Sequence, residues 1–189
     1  MPDYFYDDDY TPRVNPLNHL RERRIVPLYG AIDDAKAYEV TLELMCLDEE
    51  SHAPIFLLIN SPGGSVSAGF AIIDCMNSLA SEVHTRATGT AASMAAVVLA
   101  CGTKGERTAT PHADIMVHQP LQNGLGGQAS DIAIAANEIM RKRKKLNALL
   151  AEQTGRSIDE IEQATDRNNW LSAEDAVEFG IVDRVSNTI

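Results

Sequence analysis

The chain has 189 residues, a formal net charge of -11 and a pI near 4.8. A length of this size fits one domain with a single core and needs no disulfide or metal to fold. The acidic balance excludes a nucleic-acid binder or an anionic membrane surface as partner, because both demand a basic face. The three cysteines, Cys46, Cys75 and Cys101, are scattered, with no zinc-like spacing, and read as small buried hydrophobes.

Residues 1–23 mix Asp3, Asp7, Asp8 and Asp9 with tyrosines, Pro12 and Pro16, and show neither helical nor strand periodicity. A disordered tail is expected there, with a gate or docking loop as the functional alternative. The segment lacks the basic and apolar regions of a signal peptide, and no apolar run reaches the roughly 18 residues that span a bilayer, so the expected location is the cytoplasm.

Ile25 to Gly30 predicts a short strand. A helix capped by Asp33 or Asp34 follows to about Leu47, with Tyr38, Leu42 and Met45 on its expected buried face. Ile55 to Asn60 is continuously apolar, as for a strand covered on both faces. Ser61-Pro62-Gly63-Gly64 breaks it, and Ile72, Cys75, Met76 and Leu79 mark a helix from about Ser67 to Leu79. Val83 to Thr88 predicts a strand ended by Gly89, Ala91 to Cys101 a small-residue helix, and Ile115 to Val117 another buried strand. Ser130 to Thr154 is rich in helix formers and stops at Gly155. Its run Arg141 to Lys145 reads as a solvated or subunit-facing stripe. A helical turn opens at Ser157, a capping box at Ser172 and Asp175 starts a helix ended by Gly180, and Ile181 to Asp183 closes as a strand. Alternating strands and helices without internal repeats indicate one α/β domain.

Ser93, at the head of an apolar helix, is a candidate nucleophile, because a helix start offers free N–H groups to a developing oxyanion. His118, at the end of the strand that follows, is the candidate base. The Gly63-Gly64 turn adds backbone donors, which completes the parts of an acyl-transfer site. Each feature alone has an ordinary reading: Ser93 as a helix cap, His118 as a polar strand end. There is no Gly-x-Ser-x-Gly elbow of the α/β-hydrolase type.

Four blocks occur in order: Asn60-Ser61-Pro62-Gly63-Gly64, then Gly89-Thr90-Ala91-Ala92-Ser93-Met94, then Met116-Val117-His118-Gln119-Pro120, then Trp170-Leu171-Ser172-Ala173 with Ala176 to Gly180. Together they resemble the Clp protease proteolytic subunit (ClpP) family from about Arg24 to Val185. The resemblance implies a crotonase-like α/β fold of stacked strand-helix units, with a single peptidase domain over 24–189. Residues 1–23 become a tail or axial-loop segment, and a protruding handle spans about 121–154. It further implies a serine endopeptidase assembled as two stacked seven-membered rings around a chamber. Ser93 would be the nucleophile, His118 the base, and Gly64 and Met94 the oxyanion-hole donors. The chain itself would need no metal or cofactor; ATP would be used by a partner AAA+ Clp ATPase that feeds in unfolded protein substrates.

Three features depart from that family. Asn168 stands where the triad aspartate is expected, with Asp166 two residues earlier. The axial-loop sequence differs, and the groove positions Phe56, Leu58 and Ser78 lack the usual aromatic pattern. The alternative reading is therefore a weakly active, structural or regulatory ring subunit that needs a second ClpP-type partner ring. Acyl-CoA chemistry on the same fold is a third reading, though it has no use for Ser93 and His118 together.

Overall fold

The computed structural model describes residues 4–6, 12–14, 16–121 and 126–187. The expected lack of regular structure before residue 23 is corrected. Strands β1 (Tyr4–Tyr6) and β2 (Pro12–Val14) pair antiparallel, and α1 covers Pro16–Glu22. Pro16 opens α1 at the one helical position where a missing N–H costs nothing. Arg21 then ties α1 to the next helix through Glu43 at 2.7 Å and Glu50 at 2.5 Å.

The main sheet has seven strands among the described residues. Its path is β3 (Ile25–Tyr29), β4 (Ile55–Ser61), β5 (Val83–Ala92), β6 (Thr108–Ala109) and β9 (Arg184–Val185), all parallel. The fork lies in β5. Its first half, at Arg86 and Ala87, pairs with β6; its second half, at Thr90 to Ala92, pairs with β7 (Asp114–Val117). Antiparallel to β7 runs β8 (Asn169–Leu171). Gly89 therefore does not end the strand, as its composition suggested. With φ +73° it forms the bend of the fork, where the β4–β5 register slips between Ile59 and Ser61. Asn60 stabilises the bend by accepting from Thr90 N–H at 3.2 Å.

Helix α2 (Asp34–Glu50) is capped by Asp33, which accepts from Lys36 N–H. Its buried face is Ala37, Val40, Leu44 and Leu47, not the expected stripe: Tyr38 is 69% exposed, Leu42 43% and Met45 47%. Arg24, at φ +57°, lays its guanidinium across the far end of α2 and donates to the carbonyls of Leu47, Ser51, Ala53 and Pro54. Strand β4 is also corrected. Ile55, Leu57 and Ile59 are buried, whereas Phe56 is 43% exposed and Leu58 half-buried, so within one chain the helices cover only one face of the sheet. On the open face Phe56 meets His84 edge to face at 5.2 Å, and Arg86 Nε donates to Thr108 Oγ1.

Helices α3 (Val66–Ser78) and α4 (Met94–Ala100) fill the core. Every residue of α4 is buried. Its predicted start at Ala91 is too early, because Ala91 and Ala92 belong to β5. The long helix α5 (Ala129–Thr154) ends at Gly155 in the left-handed conformation, as expected, and buries only Leu146, Asn147 and Leu150. Ile132, Ile134 and Met140 stand exposed along its first half. The glycine-rich stretch before it lies partly outside the described residues. Helices α6 (Ile158–Ala164) and α7 (Ala173–Phe179) both start with complete capping boxes. The closing strand is Arg184–Val185, slightly later than Ile181 to Asp183. Of the cysteines, Cys101 is buried, its thiol pushed up to about 12 by desolvation, while Cys46 and Cys75 are half-buried. Among the described residues, no helix is long and apolar enough to cross a membrane.

Two carboxylates lock the sheet's periphery. Asp183 receives N–H bonds from Gly105 and Arg107 and pairs with the buried Arg107 guanidinium, which also donates to Ala100 and Gln153 carbonyls. Burial opposes its ionisation, yet the Arg107 bonds hold its carboxyl below the ordinary value. Asp48 fastens α2 to the turn before β5 by accepting from Ser81 N–H at 2.7 Å and Ala80 N–H at 3.3 Å. Ser81, first through its side chain and against some desolvation, leads the influences that lower its pKa from 3.8 to about 2. A carboxyl depressed in the folded state stabilises fully above its unfolded value, and that contribution is lost as pH falls toward the folded one. The Tm difference between wild type and Asp48→Asn should therefore be constant above about pH 5 and close progressively between about pH 4 and 2. Thermal melts by circular dichroism across pH check it.

Candidate active site

The sheet register assembles the site. Ala92 on β5 pairs with Met116 on β7, and Ser93 N–H donates to the Met116 carbonyl at 2.8 Å, so Ser93 emerges beside the end of β7. His118 follows β7 directly. On the antiparallel side Val117 pairs with Asn169, and one further step sets Asn168 opposite His118. The three side chains form a hydrogen-bonded series: Ser93 Oγ lies 2.8 Å from His118 Nε2, and His118 Nδ1 lies 3.0 Å from Asn168 Oδ1. An imidazole that donates from Nδ1 to the amide oxygen leaves Nε2 to accept the serine proton, the tautomer a general base needs.

Ser93 is not an ordinary cap. Its side chain caps nothing in α4, and its backbone sits at φ +56°, a conformation disfavoured for a side-chain-bearing residue. The sharp strand-to-helix turn aims Oγ at His118 and leaves Met94 N–H among the helix's initial amides, which have no intrahelical acceptor. Facing them is the Pro62-Gly63-Gly64 turn. Ile32 N–H donates to the Gly63 carbonyl and Ser65 N–H to the Ile32 carbonyl, a parallel bridge around Gly64. In such a bridge the central residue's own N–H points away from the partner, here leaving the Gly64 amide outside the pairing. A Cβ at Gly64 would lie 2.2 Å from the Ile32 oxygen, and one at Gly63 2.8 Å from Ser93 Cβ, so glycine is required at both.

Ser93 and His118 are half-buried and Asn168 is exposed. A depression of about 550 Å³ lined by His118, Gln119, Leu121, Asp166, Arg167 and Asn168 opens beside them. Asp166 does not take the place of Asn168. Its carbonyl and carboxylate face Gln119 Nε2, at 2.8 and 3.4 Å, and its carboxylate pairs with Arg167 at 3.0 Å. Gln119 N–H also donates to the Thr165 carbonyl at 2.6 Å, so the segment carrying Asn168 is fixed to the one carrying His118. Sequence reasoning missed this tie, the strand β8 that aligns Asn168, and the packing role of Gly63. Only the Pro-Gly-Gly turn gave a signal for the last. The described residues contain no group of three or more His, Cys, Asp or Glu able to hold a metal ion.

A serine, an imidazole and a carboxamide in series, beside two backbone amides on an α/β sheet, are the parts of an acyl-transfer site. The family model described as Clp protease matches residues 10–188, nearly the whole chain, and the chain belongs to that family. It is a ClpP-type peptidase chain with the ClpP/crotonase-like fold.

Proposed function

We propose that the protein is a serine endopeptidase of the Clp type that hydrolyses unfolded proteins and peptides. The observation that carries this is the 2.8 Å contact of Ser93 Oγ with His118 Nε2, continued at 3.0 Å to Asn168. Ser93 Oγ attacks the scissile carbonyl carbon while His118 Nε2 takes its proton. The tetrahedral oxyanion accepts from Gly64 and Met94 N–H. Collapse breaks the C–N bond, and the imidazolium returns the proton to the departing amine. Water, deprotonated by His118, then attacks the acyl carbon and releases the new carboxylate and free Ser93. Asn168 holds the ring tautomer.

The chain works without a metal or cofactor of its own. ATP is consumed by a partner AAA+ Clp ATPase, in the cytoplasm, that delivers unfolded chains. Assembly as two stacked seven-membered rings is supported by apolar surface with no cover in one chain: Tyr38, Leu42 and Met45 on α2, and Ile132, Ile134 and Met140 on the projecting half of α5. A second reading, a weakly active or regulatory subunit that depends on a second ClpP-type ring, is favoured by one observation, the neutral Asn168 at the position facing His118 Nδ1.

A fluorophosphonate probe tests the nucleophile. One covalent adduct is expected on Ser93 by peptide mapping, with labelling slowed by more than about 10²-fold in His118→Ala. An unlabelled Ser93 in the assembled protein would contradict the assignment.

A further inference from the structure

The buried positions of β4 are Ile55, Leu57, Ile59 and Ser61, and Ser61 is 1% exposed. The first three are large aliphatics, so the fourth puts a hydroxyl where the strand's alternation calls for another apolar side chain. A hydroxyl taken out of water at such a place costs stability unless it is hydrogen-bonded. Its Oγ accepts from Gly63 N–H at 3.0 Å, reaching across Pro62. This is the serine form of a side-chain turn, and Pro62 suits it because its φ is fixed and it has no N–H to compete.

That bond bears on the peptide that carries the Gly64 donor. Gly63 and Gly64 lie at φ +85° and +153°, and the peptide joining two residues without side chains meets little steric resistance to rotation. Two hydrogen bonds hold it. Gly63 N–H is fixed by Ser61 Oγ, and the Gly63 carbonyl accepts from Ile32 N–H at 2.9 Å. In a trans peptide the N–H points opposite to the carbonyl, so a carbonyl turned to Ile32 sends the Gly64 N–H away from it. Gly63 also abuts the nucleophile turn, with no room for a Cβ beside the Ala92 oxygen, Ser93 Cβ and Met94 N. Any shift at Gly63 therefore changes the spacing of the Gly64 and Met94 amides.

We propose that Ser61 is a positioning residue for the oxyanion hole. Its buried hydroxyl locks the Gly63-Gly64 peptide with the Gly64 N–H turned toward the tetrahedral oxyanion, and it touches neither the substrate nor that oxygen. Without the hydroxyl, Gly63 N–H is buried and unpaired, and the peptide rotates to relieve it, which takes the Gly64 donor out of line. The loss falls on the tetrahedral species, whose oxygen is charged, and spares ground-state binding. The proposal rests on the reading of Ser93 as nucleophile and Gly64 as donor.

The test compares a capped trileucine aldehyde with the corresponding alcohol, titrated calorimetrically into the assembled protein. Ser93 Oγ bonds to the aldehyde carbon, the C=O π pair moves to oxygen, the serine proton passes to His118, and nothing leaves; the alcohol binds without this step. The preference for aldehyde over alcohol should fall about tenfold in Ser61→Ala, with alcohol affinity unchanged. Ser61→Cys keeps the volume with a weak acceptor and should fall in the same direction, which covers a folding defect in the alanine variant. Thr85→Val removes another buried hydroxyl bond, the one donated to the Leu99 carbonyl at 2.7 Å, and should lower the Tm while keeping the preference. An unaltered preference in both Ser61 variants, or an equal fall in Thr85→Val, overturns this inference and leaves the peptidase reading standing. No preference for the aldehyde in wild type overturns both.

Discussion

Replacing Asn168 by aspartate should raise kcat/KM for peptide hydrolysis by roughly 10²- to 10⁴-fold, with the acid limb of the pH profile moved upward. The upper figure is the loss seen when a triad carboxylate becomes an amide. The exposure of Asn168 sets the lower one, since solvent screens part of a surface charge. The amide already accepts from His118 Nδ1 at 3.0 Å, so geometry and tautomer are in place. What it lacks is negative charge for the imidazolium that forms as Ser93 loses its proton. Aspartate is isosteric and supplies that charge, and a carboxylate beside an imidazole favours its protonated form. The gain should fall in kcat, because the interaction exists only once the ring is charged. Steady-state kinetics from about pH 5 to 9 check both parts. An unchanged rate would mean that proton transfer at His118 does not limit the chain.

Gly63→Ala should lower kcat by about 10²- to 10³-fold, the cost of displacing an oxyanion donor. Its Cβ would stand 2.5 Å from the Ala92 oxygen, 2.8 Å from Ser93 Cβ and 2.9 Å from Met94 N, and its φ is +85°. None of these three atoms can rotate out of the way, so the turn presenting Ser93 and the Met94 amide must shift. Gly30→Ala is the control. Its φ is +80° but nothing lies within 4 Å of the added carbon, so it should cost about 1 kcal/mol of stability and leave kcat unaltered. Equal losses of activity in both variants would point to general destabilisation rather than a displaced turn.

The sequence revealed elements where signals were redundant and failed where neighbours decide. Helix α5 was legible because helix formers run unbroken to a glycine stop, and α7 because its capping box is local. Helix α2 is signalled by a cap at Asp33 or Asp34, of which Asp33 is the one used, but the sequence points to the wrong inner face. Ala37, Val40, Leu44 and Leu47 share a helical period with Tyr38, Leu42 and Met45, and larger residues outweighed the smaller set that faces the sheet. The apolar run of β4 reads as a strand covered on both sides, because sequence does not say whether a second face meets a helix or another chain. At the site, Ser93 and His118 stood out by type and flanking pattern. The strained backbone of Ser93 and the register that sets Asn168 beside His118 are products of tertiary packing. A three-residue strand some 50 positions away offers no periodicity to read, so Asn168 was reached only through the ordered motif blocks.

The most direct test of the central claim is hydrolysis of a panel of short fluorogenic peptides by the purified assembly, with Ser93→Ala alongside. The prediction is measurable turnover by wild type, low while Asn168 is neutral, and none above background in Ser93→Ala with the fold and assembly intact. Turnover that persists in Ser93→Ala would contradict the account, because cleavage would then arise from chemistry other than the Ser93, His118 and Asn168 series.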